Sequence, residues 1–202
     1  MNRVAALLTL ASVAGCASPR NPGPAPVQSP ASWTSGAGGK LYSRVPTEIG
    51  AFKLTERTAV TGAPSDSLFR FSDGSRTILS VFIYDVADDV KSDPDPQKWT
   101  VYEGNKFEAV QKIRVRRGDI ASYVLAFSDT TRFPAGADTI LENFIAMPVR
   151  QRNGAVTVDM QFLYLIDGKF VKVRATIPEA GWEQTEVPSF ARELAVRMAR
   201  GT

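Results

Sequence analysis

The side chains that carry most protein chemistry are scarce in this sequence. It holds no histidine and one cysteine, Cys16. Without imidazole there is no Ser-His-Asp triad and no Cys-His dyad. A single thiol builds no zinc finger, iron–sulfur cluster or disulfide scaffold. Four groupings remain. Asp85, Asp88, Asp89, Asp93 and Asp95 form the densest acidic segment, and hard oxygen ligands in a loop suit calcium. Their spacing fails the EF-hand pattern, with no glycine at the turn, no closing glutamate, and Pro94 in the middle. The segment reads instead as a solvated loop whose last acid, Asp95, caps a helix. No metal site and no cofactor are expected. Lys112, Arg114, Arg116 and Arg117 form the one basic cluster. It suits an acidic partner or anionic headgroups, or simply the C-terminal dipole of a helix, with Asp119 lowering the local charge. Asp159, Gln161, Lys172 and Arg174 read as an acid–base set in a cleft, or as cross-strand pairs on one sheet face that need no substrate. Trp182 is either an exposed aromatic contact or a cap on the core beside the last helix. There is no Ser-x-x-Lys, no glycine-rich nucleophile elbow, no phosphate loop and no dinucleotide fingerprint. No catalytic residue is assigned.

The elements that must position these groups announce themselves through turns and helix caps. Asp73-Gly74, Asn153-Gly154 and Asp167-Gly168 each lie between hydrophobic runs, as two-residue hairpin connections do. Read that way, Tyr164 faces Val171, Phe162 faces Val173, Met147 faces Met160 and Ile145 faces Phe162. One face of the resulting meander carries Met147, Ile145, Met160, Phe162, Tyr164, Val171 and Val173. The other carries Asp159, Gln161, Lys172 and Arg174, with Phe144, Leu163 and Leu165 implying cover on that side too. Leu68–Phe71 and Thr77–Tyr84 form an earlier hairpin, and Ala121–Phe127 a further strand. Asp95-Pro96 opens a helix whose apolar residues are Trp99, Tyr102, Phe107, Val110 and Ile113. A second helix runs from about Glu186 to Ala199, with Val187, Phe190, Ala191, Leu194 and Met198 inward and Arg192, Glu193 and Arg197 outward. The order is strand, hairpin, helix, strand, meander, helix: α+β, an antiparallel sheet with helices packed on it.

Composition supports one such domain. The chain has 202 residues, 44% hydrophobic and 22% charged, within the globular range. Its net charge of +3 comes from Arg3, Arg20 and Lys40 in a stretch without acids, so residues 41–202 are formally neutral. A nucleic-acid partner held by a strong basic field is not expected. The N-terminus opens with Arg3 and the apolar run Val4–Ala14, too short to span a hydrocarbon core but shaped like a secretory signal. It ends Val13-Ala14-Gly15-Cys16, which resembles the lipobox of bacterial lipoproteins. That resemblance implies cleavage before Cys16 and acyl chains on it, hence residues 1–15 as signal peptide and a membrane anchor at 16. Ala17, where an aspartate would retain a lipoprotein in the inner membrane, implies an outer-membrane protein facing the periplasm. Residues 16–40, with five prolines and then Ser35-Gly36-Ala37-Gly38-Gly39, read as a tether of roughly 25–30 Å in coil form. The folded domain occupies 41–202.

The element order, with Phe170-Val171-Lys172-Val173-Arg174-Ala175-Thr176-Ile177-Pro178 ahead of a closing amphipathic helix, resembles the DcrB- and PsbP-like fold over roughly residues 45–200. The resemblance implies an α/β/α sandwich and a non-enzymatic, assembly- or partner-binding role, with no catalytic residues to transfer. Three classes of function follow. The first is a lipid-anchored envelope protein that contacts another envelope protein through Lys112, Arg114, Arg116, Arg117 or Trp182. The second is a small-ligand or lipid-binding module. The third is an enzyme working through carboxylates alone. We expect the first.

Overall fold

Asp167 and Gly168 both adopt positive φ, 49° and 72°, which only a type I′ hairpin turn asks of two consecutive residues. Around that turn the chain folds into one sheet. A computed structural model describes residues 39–59, 67–75, 77–91, 93–136 and 138–201. The lipobox Val13-Ala14-Gly15-Cys16 and nearly all of the tether lie outside the described residues. In chain order the elements are α1 (Gly39–Ser43), β1 (Glu48–Ile49), β2 (Phe52–Ala59), β3 (Ser67–Ser72), β4 (Ile78–Asp85), α2 (Asp88–Lys91) and α3 (Pro96–Arg117). Then come β5 (Ser122–Tyr123), β6 (Phe127–Ala135), β7 (Asp138–Arg150), β8 (Val156–Ile166), β9 (Lys169–Pro178), a 3-10 turn (Glu179–Gln184) and α4 (Val187–Arg200). All nine strands join one antiparallel sheet in the order β1-β2-β3-β4-β9-β8-β7, with β5 and β6 both pairing the outer side of β7. The fold class is the expected α+β. Helices cover both faces of the sheet, α1 and α4 on one and α3 on the other.

The β8–β9 register is the expected one: Tyr164 opposes Val171, Phe162 opposes Val173, and Gln161 opposes Arg174. The β7–β8 register is not. Asn153-Gly154 belongs to a three-residue loop, in which the Gly154 N–H donates to the Gln151 carbonyl at 3.0 Å and Gln151 N–H to the Ala155 carbonyl at 2.8 Å. Gly154 takes the left-handed position (φ 84°) that such a loop reserves for glycine. The extra residue slips β7 by one, so Ala146 faces Met160 and Phe144 faces Phe162. Met147 and Ile145 therefore leave the face assigned to them and pack under α3 with Phe107, Ile120 and Val149. Phe144 crosses the other way and stacks on Phe162 at 4.4 Å between ring centroids.

Two further expectations need correction. Asp73-Gly74 is not a two-residue turn, because Ser72 pairs with Ile78. The Asp73 carboxylate accepts from the backbone and hydroxyl of Ser75, making a local side-chain turn inside a longer loop. The strand expected over 121–127 is instead the broken start of an edge strand, β5 and then β6, with Val124 and Ala126 N–H still donating to Pro148 and Ala146. Most of β6 lies beyond that range. Its Pro134 is tolerated because an edge strand leaves alternate N–H groups unpaired.

The α4 face holds the main core. Val187, Phe190, Ala191, Leu194, Ala195 and Met198 are buried along α4, the stripe expected from sequence. Phe190 meets Phe52 and Phe71 edge-on at 5.1 and 4.9 Å. Helix α1 begins at Gly39, two residues before the expected domain start, and buries Leu41 and Tyr42 in the same cluster. Arg44 then ties it down, donating to Asp167 at 2.7 Å and to the Met198 carbonyl at 3.0 Å.

Candidate functional site

Helix α3 is fixed at both ends by its own sequence. Asp95 caps it, accepting from the Gln97 N–H at 3.0 Å, and Pro96 takes the first turn. Asp93 accepts from the Asp95 N–H at 2.9 Å, a bond that holds its carboxyl below the usual range, and its carbonyl accepts from the Trp99 indole at 2.7 Å. These bonds use acids of the segment once considered for calcium. At the other end Gly118 (φ 70°) donates to the Val115 carbonyl and Asp119 to that of Arg114, a Schellman motif.

Between these caps the helix is turned inside out. Its buried residues are Thr100, Glu103, Gly104, Phe107 and Gln111, so a mainly polar stripe faces the sheet. Tyr102, Val110 and Ile113, all expected in the apolar stripe, are exposed, the first and last of them by 50%, and Val101 is exposed beside them. Of that stripe only Phe107 is buried, with Trp99 partly covered. The physical reason lies on the sheet, where β8 and β9 offer acids, amides and cations that α3 must satisfy. Gly104 permits the approach: a Cβ there would sit 2.5 Å from the Asn143 carboxamide oxygen.

The structure does gather Asp159, Gln161, Lys172 and Arg174 on one face, as alternation along β8 and β9 requires. Asp159 is 4% exposed and accepts from Thr176 at 2.8 Å, Gln111 at 3.0 Å and Arg114 at 3.0 Å. Lys172 pairs with Glu103 at 3.2 Å, and Tyr84 donates to the same carboxylate at 2.7 Å. Burial alone would raise the Glu103 carboxyl, but Lys106, Tyr84 and Lys172 outweigh it and hold it below its ordinary value. Lys172 and Arg174 are both pushed down by burial. Arg174 lies over the Phe107 ring at 4.7 Å and makes no hydrogen bond or ion pair among the described residues. Gln161, directly across the ladder, keeps its buried amide nitrogen without a hydrogen-bond partner among them as well. Glu103 is held toward its charged form, and both oxygens of Asp159 accept hydrogen bonds. The arrangement suits binding.

Beside α3 the same face opens into a cleft of about 520 Å³. Arg114 and Arg174 reach it from the polar layer, and Arg70, Ile78, Ser80 and Phe82 line it from β3 and β4. Sequence reasoning missed Glu103, Gln111 and Arg70. A signal for the first two was present, since Thr100, Glu103, Phe107, Gln111 and Arg114 recur at helical spacing.

The basic cluster is dispersed. Lys112 pairs with Glu108 at 3.0 Å, Arg114 turns inward to Asp159, and Arg117 lies 3.5 Å from Asp119. Arg116, the fourth member, makes no ion pair among the described residues. Trp182 belongs to the 3-10 turn after β9, a separate element, and is 41% exposed. No helix among the described residues is long and apolar enough to cross a membrane.

No family model and no curated protein sequence matches this chain. Among solved structures, the PsbP (CyanoP) of Synechocystis sp. PCC 6803 is similar over 69% of this chain and 77% of its own, at 19% identity and a TM-score of 0.46. The Ran-binding protein Mog1p of Saccharomyces cerevisiae is similar over 74% of this chain and 92% of its own, at 9% identity and a TM-score of 0.33.

Proposed function

We propose that this chain is a lipid-anchored, non-catalytic protein of the cell envelope that docks a partner protein on the outward side of α3. The observation that carries the docking is the inversion of that helix. A surface helix ordinarily turns its apolar stripe to the core, whereas α3 spends polar residues there and leaves Val101, Tyr102, Val110 and Ile113 outside. Six basic residues against two acidic ones give α3 a net charge of +4 in a domain that is neutral as a whole, so the rest of it is net acidic. The matching surface is therefore acidic and partly apolar. The anchor rests on Val13-Ala14-Gly15-Cys16 and the proline-rich tether, with Ala17 favouring the outer membrane.

Two measurements test this reading. Mass spectrometry of the membrane fraction should find a mature chain beginning at an acylated Cys16, and Cys16→Ala should leave unacylated protein. A photoreactive side chain at Tyr102 should capture one envelope protein, with the adduct lost in Ile113→Asp and in the double change Arg116→Glu, Arg117→Glu. An adduct insensitive to those changes, or a mature chain starting elsewhere, contradicts it.

A second reading, a small-ligand module, is favoured by the cleft beside Arg174.

A further inference from the structure

Three cations in or beside the cleft are paired with protein carboxylates. Arg114 has Asp159, Lys172 has Glu103, and at the far side of the cleft Arg70 has Glu56 at 2.9 Å. Arg174 has none. Asp159, whose charge Arg174 feels within the polar layer, directs its hydrogen bonds to Thr176, Gln111 and Arg114 instead. A guanidinium drawn partly out of water and left without an anion is costly, and pairing offsets that cost. Its guanidinium carbon lies 4.7 Å from the centre of the Phe107 ring, and its N–H groups make no hydrogen bond among the described residues.

The ladder places further donors in line with it. Arg70 opposes Ser80 across β3–β4, and Ser80 opposes Arg174 across β4–β9. Partners in register share a face, so the three form a row across neighbouring strands, roughly 10 Å from end to end. Ile78 and Phe82 flank Ser80 on the same face of β4, and Ile78 is 57% exposed. The cleft thus sets one row of donors between two apolar side chains, with Asp159, held by Arg114, in its wall. Its volume of about 520 Å³ lies within the range of small-molecule sites.

We propose that this cleft binds the carboxylate of a small amphipathic organic acid, with Arg174 receiving the carboxylate and Ile78 and Phe82 holding the hydrocarbon part. A single uncompensated cation calls for a monoanion. The planar guanidinium edge fits a carboxylate in two parallel hydrogen bonds. A phosphate dianion would lack a second free cation, because Arg70 and Arg114 are engaged by Glu56 and Asp159. The site deepens the small-ligand reading and is independent of docking on α3, whose outward residues do not line it.

The test is calorimetric titration of the full 202-residue chain with sodium octanoate, with octanol and octyl phosphate as comparators. Octanoate should bind saturably and octanol should bind at least about tenfold more weakly, the effect of losing a charge-assisted pair. Arg174→Met should weaken octanoate by about tenfold or more while leaving the melting temperature unchanged or raised, since it removes an unpaired charge. Ile78→Ser should weaken octanoate without changing the preference over octanol. Equal affinity for octanoate and octanol, unaltered octanoate binding in Arg174→Met, or no binding at millimolar octanoate would overturn the proposal. Tighter binding of octyl phosphate than of octanoate would also overturn it, in favour of a phosphate site. Failure here leaves the crosslinks from Tyr102 untouched, so the two readings fall separately.

Discussion

On one face of the sheet, Phe190 lies edge-on between Phe52 and Phe71, with Leu194 and Met198 buried a turn or two further along α4. On the other, Glu103, Gln111, Asp159 and Lys172 fill the space between α3 and the same strands. The first arrangement is held by apolar area, which is tolerant of small shifts and indifferent to pH. The second is held by matched charges and hydrogen bonds, which are directional, depend on pH and fail as a unit when one member is lost. A helix fastened by polar groups has its apolar residues left over for the outside. That exchange is what ties the interior of this fold to its proposed surface.

The comparison can be broken from either side. Phe190→Ala removes a buried ring from the apolar face and should cost about 3–5 kcal/mol, read as a shifted urea midpoint with an unchanged slope. Asp159→Ala should cost about 3 kcal/mol, because it strands Arg114, Gln111 and Thr176 together, whereas Asp159→Asn should cost less by keeping an acceptor. If both Asp159 changes were neutral, the polar layer would not be holding α3. Gly104→Ala should cost about 1–3 kcal/mol through the clash with Asn143, and Asn143→Ala in the same chain should recover part of it in a double-mutant cycle.

Acid should separate the faces further. The Glu103 carboxyl lies below its ordinary value in the folded chain. Its contribution is therefore complete above the ordinary glutamate range, at about pH 4.3, and is lost as pH falls through the lowered folded value. Glu103→Gln should flatten the fall in stability between about pH 6 and pH 3 without abolishing it, since Asp93 and Glu108 are also held low. A wild-type slope in that variant would count against the polar layer. The smallest effect belongs to the outer side of α3, where Ile113→Asp should leave stability within about 0.5 kcal/mol.

Legibility in the sequence followed the same division. The α4 stripe was readable because apolar burial at helical spacing is the signal that periodicity detects. Asp95-Pro96 and Asp167-Gly168 were readable because a cap and a type I′ turn each have a specific residue preference. Asn153-Gly154 was not decisive, since glycine in a left-handed position serves a two-residue or a three-residue loop, and the one-residue difference exchanged Met147 for Ala146. On α3 the rule itself misled: Tyr102, Val110 and Ile113 match a helical stripe, and nothing local says that the sheet opposite is polar. Of the candidate site, alternation along β8 and β9 placed Asp159, Gln161, Lys172 and Arg174 together. The arrival of Gln111, Arg114 and Arg70 beside them depends on tertiary contacts that no short motif encodes. Most of β6 escaped because its Ser128-Asp129-Thr130-Thr131-Arg132 run lies on a solvated edge, without apolar alternation.

Photocrosslinking from both faces in the native envelope tests most directly whether α3 is the working surface. Photoreactive side chains at Tyr102 and Ile113 on α3 are compared with one at Glu193 on α4, each in the intact, anchored chain. The expected result is the same adduct from both α3 positions, none from Glu193, and loss of the α3 adduct when Arg116 and Arg117 are reversed to glutamate. Equal capture from Glu193, or an α3 adduct that survives the charge reversal, would contradict the account.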